Sequence, residues 1–171
     1  MSHVEIRAAT PVDAEAILPL QEAYWAFEGT TGFDRSTLSC RLNEFLSNRT
    51  HGLAWIAQDT DRLVGYLLAA FVFSFEYGGR MAEVDEFFVE EGSRGRGIGR
   101  RMLETARDAL ARAGCAALQL QVADDNRSTQ RFYSSFGFRP KQGYRLWTVA
   151  LPTGSGSGTV GTAWNYDLNL G

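Results

Sequence analysis

The chain is short of the residues that staple small proteins or hold metals. Its 171 residues include two cysteines, Cys40 and Cys115, and two histidines, His3 and His51. None of the four has the spacing of a zinc site and there is no CxxC pair, so no metal is expected. The two thiols read as small buried groups in a reducing compartment. Long apolar runs are missing too. The longest, residues 63–73, is eleven residues and contains Gly65, well below the roughly 20 that cross a bilayer. The opening Met-Ser-His-Val-Glu-Ile-Arg lacks the apolar core of a secretory signal. A cytoplasmic protein with no membrane partner is therefore expected. Positive charge is also scarce: 17 Lys and Arg against 20 Asp and Glu give −3 at pH 7. That balance argues against a nucleic-acid partner.

What is present is core material. The chain is 44% hydrophobic, 12% aromatic and 22% charged, which excludes disorder as its general state and suits one domain. Glycine is in excess, at 18 residues, and it is clustered. Four glycines fall between positions 92 and 99 and five between 154 and 171. The second cluster begins Gly154-Ser155-Gly156-Ser157-Gly158, so residues 152–162 read as a flexible linker. Beyond it, Trp164, Tyr166, Leu168 and Leu170 alternate with polar residues, so 163–171 reads as a strand-like tail that pairs with a sheet edge, its own or a neighbour's. The domain proper is then 1–151.

Periodicity along residues 1–151 gives an α/β order of βααβββαβαβ. Residues 4–8 alternate as a strand. Thr10, Pro11 and Asp13 open a helix toward Glu28, with a bend or break at Pro19. A second helix spans 36–48. Strands follow at 53–58, 63–73 and 81–89, then a helix at 97–113 closed by Gly114. Residues 116–122 form a strand, 126–136 a fourth helix, and 146–151 a closing strand. The strands on either side of the third helix should run parallel through a right-handed crossover. The rest of the mixed sheet is mostly antiparallel.

The first glycine cluster lies where a strand ends and a helix starts: Glu90-Glu91-Gly92-Ser93-Arg94-Gly95-Arg96-Gly97-Ile98-Gly99-Arg100-Arg101. Glycines let the backbone turn and present N–H groups at a helix start, which is an anion site. Four arginines in eight residues add charge. A P-loop is excluded because Gly99 is followed by two arginines, and a dinucleotide fingerprint because the third glycine of GxGxxG is missing. A pyrophosphate-bearing cofactor fits.

Arg94-x-x-Gly97-x-Gly99 matches the Q/R-x-x-G-x-G/A signature of the GNAT superfamily of N-acetyltransferases. Asp85-Glu86-Phe87-Phe88-Val89 before it resembles that family's fourth strand, Leu120-Gln121-Val122 with Asn126 its fifth, and Phe132-Tyr133-Ser134-Ser135-Phe136-Gly137-Phe138 its FYxxxGF element. The resemblance spans about residues 4–151. It is strongest toward small-amine enzymes of the spermidine/spermine and thialysine type, through Asp85-Glu86-Phe87-Phe88-Val89, Gly143-Tyr144-Arg145-Leu146 and Tyr24-Trp25-Ala26-Phe27-Glu28.

The resemblance implies acetyl-CoA as cofactor. Phe87, Phe88 and Val89 would pair with its pantetheine arm, and Val89 N–H would polarise the thioester carbonyl. Arg94, Gly95, Arg96, Gly97, Ile98, Gly99 and Arg100 would hold the pyrophosphate, Asn126 the arm, with Arg127 and Arg131 assisting. Tyr133 would act as general acid to the leaving thiolate. Amine attack requires a base, since an alkylammonium is protonated at pH 7. Glu83, Asp85 and Glu86 share one strand. Alternation alone puts Glu83 and Asp85 on one face and Glu86 on the other, but a family bulge would change that phase. Similarity to the small-amine enzymes implies Glu86 as base, with Asp85 binding the cation or a relay water. Glu83 stands where protein-acetylating relatives carry their base. Trp25, Glu28, Phe75, Glu76, Asp85 and Tyr144 would line an acceptor site. A small-molecule amine is the expected acceptor, and a homodimer is expected from the family. A protein or peptide N-acetyltransferase and a non-catalytic acyl-CoA sensor are the alternatives.

Overall fold

The computed structural model describes residues 4–149 and 151. Strand β1 (Val4–Ala8) leads through a single turn at Pro11–Asp13 into α1 (Ala14–Phe27), followed by α2 (Arg35–Ser47). Strands β2 (Gly52–Asp59), β3 (Arg62–Ser74) and β4 (Gly79–Val89) form a meander. Helix α3 (Ile98–Arg112), the short β5 (Leu118–Gln119) and α4 (Arg127–Ser134) complete the fold. The sheet order is β1-β2-β3-β4-β5, antiparallel except for the β4–β5 pair. That parallel pair flanks α3, as the crossover rule requires.

Each strand of the centre buries both faces. On one side Trp55, Leu67, Ala69 and Val84 pack with Ile98, Met102, Leu103, Ala106 and Leu110 of α3. On the other, Ile56, Tyr66, Leu68 and Phe88 pack with Ile17, Leu18, Leu38 and Leu42 of α1 and α2. Adjacent residues such as Trp55 and Ile56, or Leu67 and Leu68, thus serve opposite layers, as a pleat demands.

The start of α1 is tied to β1. The Asp13 carboxylate, only 6% exposed, accepts from Arg7 Nη2 at 2.7 Å, Arg7 Nη1 at 2.9 Å, and the Thr10 amide and hydroxyl at 2.8 and 2.9 Å. The Arg7 guanidinium holds its pKa down to about 2, from an ordinary 3.8. A carboxylate depressed in the folded state stabilises above its ordinary pKa and loses that contribution as pH falls through the folded value. Asp13→Asn is therefore expected to lose up to about 2 kcal/mol at pH 7, with the gap to wild type closing between pH 4 and 2 in urea unfolding curves.

Four expectations are corrected. Pro19 does not break α1: it lies on the exposed side, and the carbonyl deprived of its N–H is that of solvent-facing Glu15. Cys40 is exposed rather than buried, because α2 turns Leu38 and Leu42 inward and Cys40 away; Cys115 is half-buried. The strand expected over 116–122 shrinks to Leu118–Gln119, which pair only with Ala82 and Glu83. No closing strand forms over residues 146–149 or at 151, where Trp147 and Val149 are 89% and 79% exposed. The linker and tail read at 152–162 and 163–171 lie outside the described residues. Among the described residues no helix is long and apolar enough to cross a membrane.

Candidate active site

The site begins with an irregularity in β4. Leu68 of β3 pairs with Glu86, but the next residue, Ala69, pairs with Val84. Asp85 is the extra residue of a β-bulge, which shifts the side-chain phase by one. Upstream of it Ala82 and Val84 face α3; downstream Phe87 and Val89 do. Glu86 and Phe88 consequently turn to the α1 side. The simple alternation that separated Glu83 from Glu86 is overturned: both lie opposite Val84, and Asp85 sits at the break.

Glu86 is 8% exposed. Its Oε1 accepts from Trp25 Nε1 at 2.9 Å, and its Oε2 from Gln21 Nε2 at 2.8 Å and Tyr66 Oη at 3.0 Å. Burial raises its pKa, the three donors oppose that rise, and the Asp85 charge adds to it. Asp85 is exposed on one side, and no side chain among the described residues donates to it. The protein atoms crowded around it, then the Glu83 charge, raise its pKa as well. Glu83 accepts from Gln119 Nε2 at 2.8 Å and Gln121 Nε2 at 3.0 Å on the β5 side.

Two phenols complete the cluster. Tyr24 of α1 sits edge-on to Tyr66 and tilted on Phe88, with ring centroids 6.5 and 6.1 Å apart. Burial raises its pKa, and the charges of Glu28, Glu86 and Asp85 add to that. Tyr133 of α4 lies against Phe132 and Phe138. Burial and then Glu28 push it up to about 12, and its hydroxyl makes no hydrogen bond to any described residue. Tyr24, Glu28, Asp85, Glu86 and Tyr133 thus feel one another's charge across the gap between α1, β4 and α4.

The glycine loop adjoins this cluster. Gly95 and Gly97 adopt left-handed backbone, φ 74° and 75°, where any Cβ is strained though space around them is open. Gly97 caps α3, and its carbonyl accepts the first helical bond from the Arg101 amide. The amides of Ile98, Gly99 and Arg100 precede the helical ladder and point out of its start. Beside them the outer edge of β4 is open: β5 leaves it after Glu83, so residues 84–89 have no strand partner there. The Glu90 amide donates to Val64 on β3, so alternation turns the Val89 backbone to the open edge. Its carbonyl accepts from Arg94 Nε at 2.8 Å. Arg94 also lies over Phe27 and Phe88, 4.9 and 5.5 Å from the ring centroids.

The other arginines have intramolecular partners. Arg96 pairs with Asp59 at 2.9 Å, Arg100 reaches Ser135 at 3.1 Å and covers Phe136, and Arg101 donates to the Val4 carbonyl. Asn126 caps α4, its Oδ1 accepting from the Thr129 amide at 3.1 Å. Arg127 and Arg131 line an open groove on α4 with Gln130, Ser134 and Ser135.

The expected acceptor residues divide. Trp25 and Glu28 reach the carboxylate cluster. Glu76 and Tyr144 do not: both engage Lys141, which lies 3.0 Å from Glu76 Oε1 and 4.4 Å from the Tyr144 ring centroid. They stand with exposed Phe75 at the β3–β4 hairpin, while Glu86 lies seven residues along β4 from its first residue, about 23 Å at the usual strand rise. Gln21 and Tyr66 were not singled out from sequence. Gln21 offers a signal, a lone amide within the apolar helical stripe Ala14, Ile17, Leu18 and Trp25.

Residues 15–138 match the model of the acetyltransferase (GNAT) family. An uncharacterized N-acetyltransferase of Bacillus subtilis, YhfO, is 27% identical over 149 residues, covering 87% of this chain and 99% of that protein. A thialysine N-epsilon-acetyltransferase of Sus scrofa is 30% identical over 77 residues, 45% of each chain. The crystal structure of the aminoglycoside N-acetyltransferase AAC(6′)-Iy in complex with CoA superposes with a TM-score of 0.76 at 18% identity, over 88% of this chain and 97% of that one.

Proposed function

From the premise that the chain belongs to the acetyltransferase (GNAT) family, we propose that it transfers an acetyl group from acetyl-CoA to the primary amine of a small molecule by direct attack in a ternary complex. The family uses acetyl-CoA, and the residues here fit it. The strained glycine turn, the amides of Ile98, Gly99 and Arg100, and the open edge at residues 84–89 form a path from an anion cradle to the carboxylate cluster. When bound, acetyl-CoA supplies an activated acyl group on a thiol leaving group.

The chain's own groups then divide the work. Val89 N–H on the open edge is placed to donate to a carbonyl oxygen as it gains charge. The observation that carries the reading is the pair of carboxylates at the bulge. A base must reach the ammonium proton, and Asp85 has an open side and oxygens that no side chain occupies. Glu86 already accepts three hydrogen bonds. This geometry favours exchanging the roles implied by resemblance: Asp85 takes the proton, directly or through water, and Glu86 supplies a fixed negative charge. Tyr133, protonated far above neutral pH, donates to the departing thiolate. Trp25, Glu28 and Tyr24 give an aromatic and acidic wall that suits a cation.

The test is thiol release from acetyl-CoA across a panel of diamines, polyamines, amino acids and aminoglycosides, with lysine-containing and free N-terminal peptides beside them. Release stimulated by small amines is expected. Stimulation by peptides alone, or CoA binding with no release on any acceptor, overturns the proposal.

A further inference from the structure

Gln21 and Trp25 lie one turn apart on α1 and so face the same way. Both donate to the carboxylate that Tyr66 of β3 also bonds, at 2.8, 2.9 and 3.0 Å. Glu86 makes no ion pair among the described residues. The titratable groups facing it are Tyr24 from α1, Tyr66 from β3 and Asp85 on β4; Glu28 and Glu83 act on Tyr24 and Asp85 in turn. The nearby cation Arg94 is held over Phe88 and Phe27. Burial without a cation favours a protonated carboxyl, so neutral donors carry the burden of keeping this one charged.

The state of Gln21 shows that its donor is what matters. Its Oε1 is buried with no hydrogen-bond partner, and the residue is only 6% exposed. A buried, unsatisfied acceptor is destabilising, and an apolar side chain of similar length would avoid it. The amide is kept in an apolar stripe for the one bond it makes, to Glu86.

We propose that Gln21, Trp25 and Tyr66 are positioning residues that together hold Glu86 ionised and fixed beside the bulge, leaving Asp85 as the group that exchanges the substrate's proton. The inference rests on the roles given to Asp85 and Glu86 above. Hydrogen bonds to a charged group are strong enough that losing one should raise the proton affinity of Glu86 by about one pH unit. Each donor also fixes the strand just after the bulge, since Glu86 straps β4 to α1 and β3.

Gln21→Met tests this, because it removes the donor and the orphaned oxygen while keeping the volume. The readouts are thermal unfolding, carboxyl ¹³C titration of Glu86 assigned with Glu86→Gln, and the pH profile of kcat/KM. The expected result is an undiminished melting temperature, a Glu86 titration moved up about one pH unit, and a kcat/KM deficit of about tenfold on the acidic side that narrows as pH rises. Tyr66→Phe, which keeps the buried ring, should shift the titration in the same direction. A lowered melting temperature with an unmoved titration, or a deficit equal at every pH, would overturn the proposal and leave these side chains as packing alone. If wild type releases no thiol with any amine, the functional reading fails, yet the titration still decides whether the donors hold the charge.

Discussion

Asp85→Asn is expected to lower kcat/KM for a small primary amine by about 10²–10⁴-fold at pH 7, the range that positioned general bases contribute. The amide keeps the size of the side chain at the bulge, so folding should be unaffected. What is lost is the acceptor for the ammonium proton. The deficit should depend on pH in one direction. An alkylammonium loses its proton unaided near pH 10.4, so the variant's kcat/KM should climb about tenfold per pH unit toward that value. Wild type should reach its plateau much earlier, once Asp85 is ionised. Crowding and the Glu83 charge raise the Asp85 pKa above its ordinary 3.8, which places the wild-type acidic limb above that of an unperturbed aspartate. Profiles that run parallel from pH 6 to 10 would exclude Asp85 as the base.

Tyr133→Phe is the second large effect, expected to reduce kcat by about 10²–10³-fold while leaving the dissociation constant for CoA within twofold. The phenol packs against Phe132 and Phe138, contacts that phenylalanine preserves, and its hydroxyl bonds no described residue. With a pKa pushed up to about 12, Tyr133 is a poor source of a free proton to a thiolate near 8.5. It acts as a hydrogen-bond donor to the charge growing on sulfur, and the proton released by the amine completes the thiol. Two consequences follow. Wild type should show no alkaline limb from this group below about pH 11. An acyl thioester with a more acidic thiol should also shrink the variant's deficit, because a better leaving group needs the donor less. Equal deficits with both thioesters would remove Tyr133 from the step that expels sulfur.

Much of this was readable before any coordinates. Strand β1 and the starts of α1 and α3 follow from alternation, from Thr10-Pro11-x-Asp13 and from the glycine turn. These signals are local, and each is carried by adjacent residues. The loop at 94–100 was legible for the same reason, since the handedness at Gly97 is a property of one residue. The bulge was not. It exists only in the pairing of β4 with β3, and nothing in Glu83-Val84-Asp85-Glu86 fixes which residue is skipped. The donors to Glu86 were hidden likewise, because Tyr66 and Gln21 lie 20 and 65 positions away. The truncation of β5 and the missing closing strand reflect partners as well. A β-prone stretch stays irregular when the neighbouring edge turns away, as the edge of β4 does after Glu83.

The bulge also makes β4 intolerant of changes in length. Removing Asp85 by deletion would let Val84 and Glu86 sit on consecutive rungs against β3, and every side chain after the gap would exchange layers. Phe87 and Val89 would point at α1, while Glu86 and Phe88 would be driven into the layer beneath α3, a carboxylate among Met102 and Leu103. A single codon therefore separates two incompatible wirings of the same six side chains. Homologous strands should accept substitution at this position far more readily than insertion or loss.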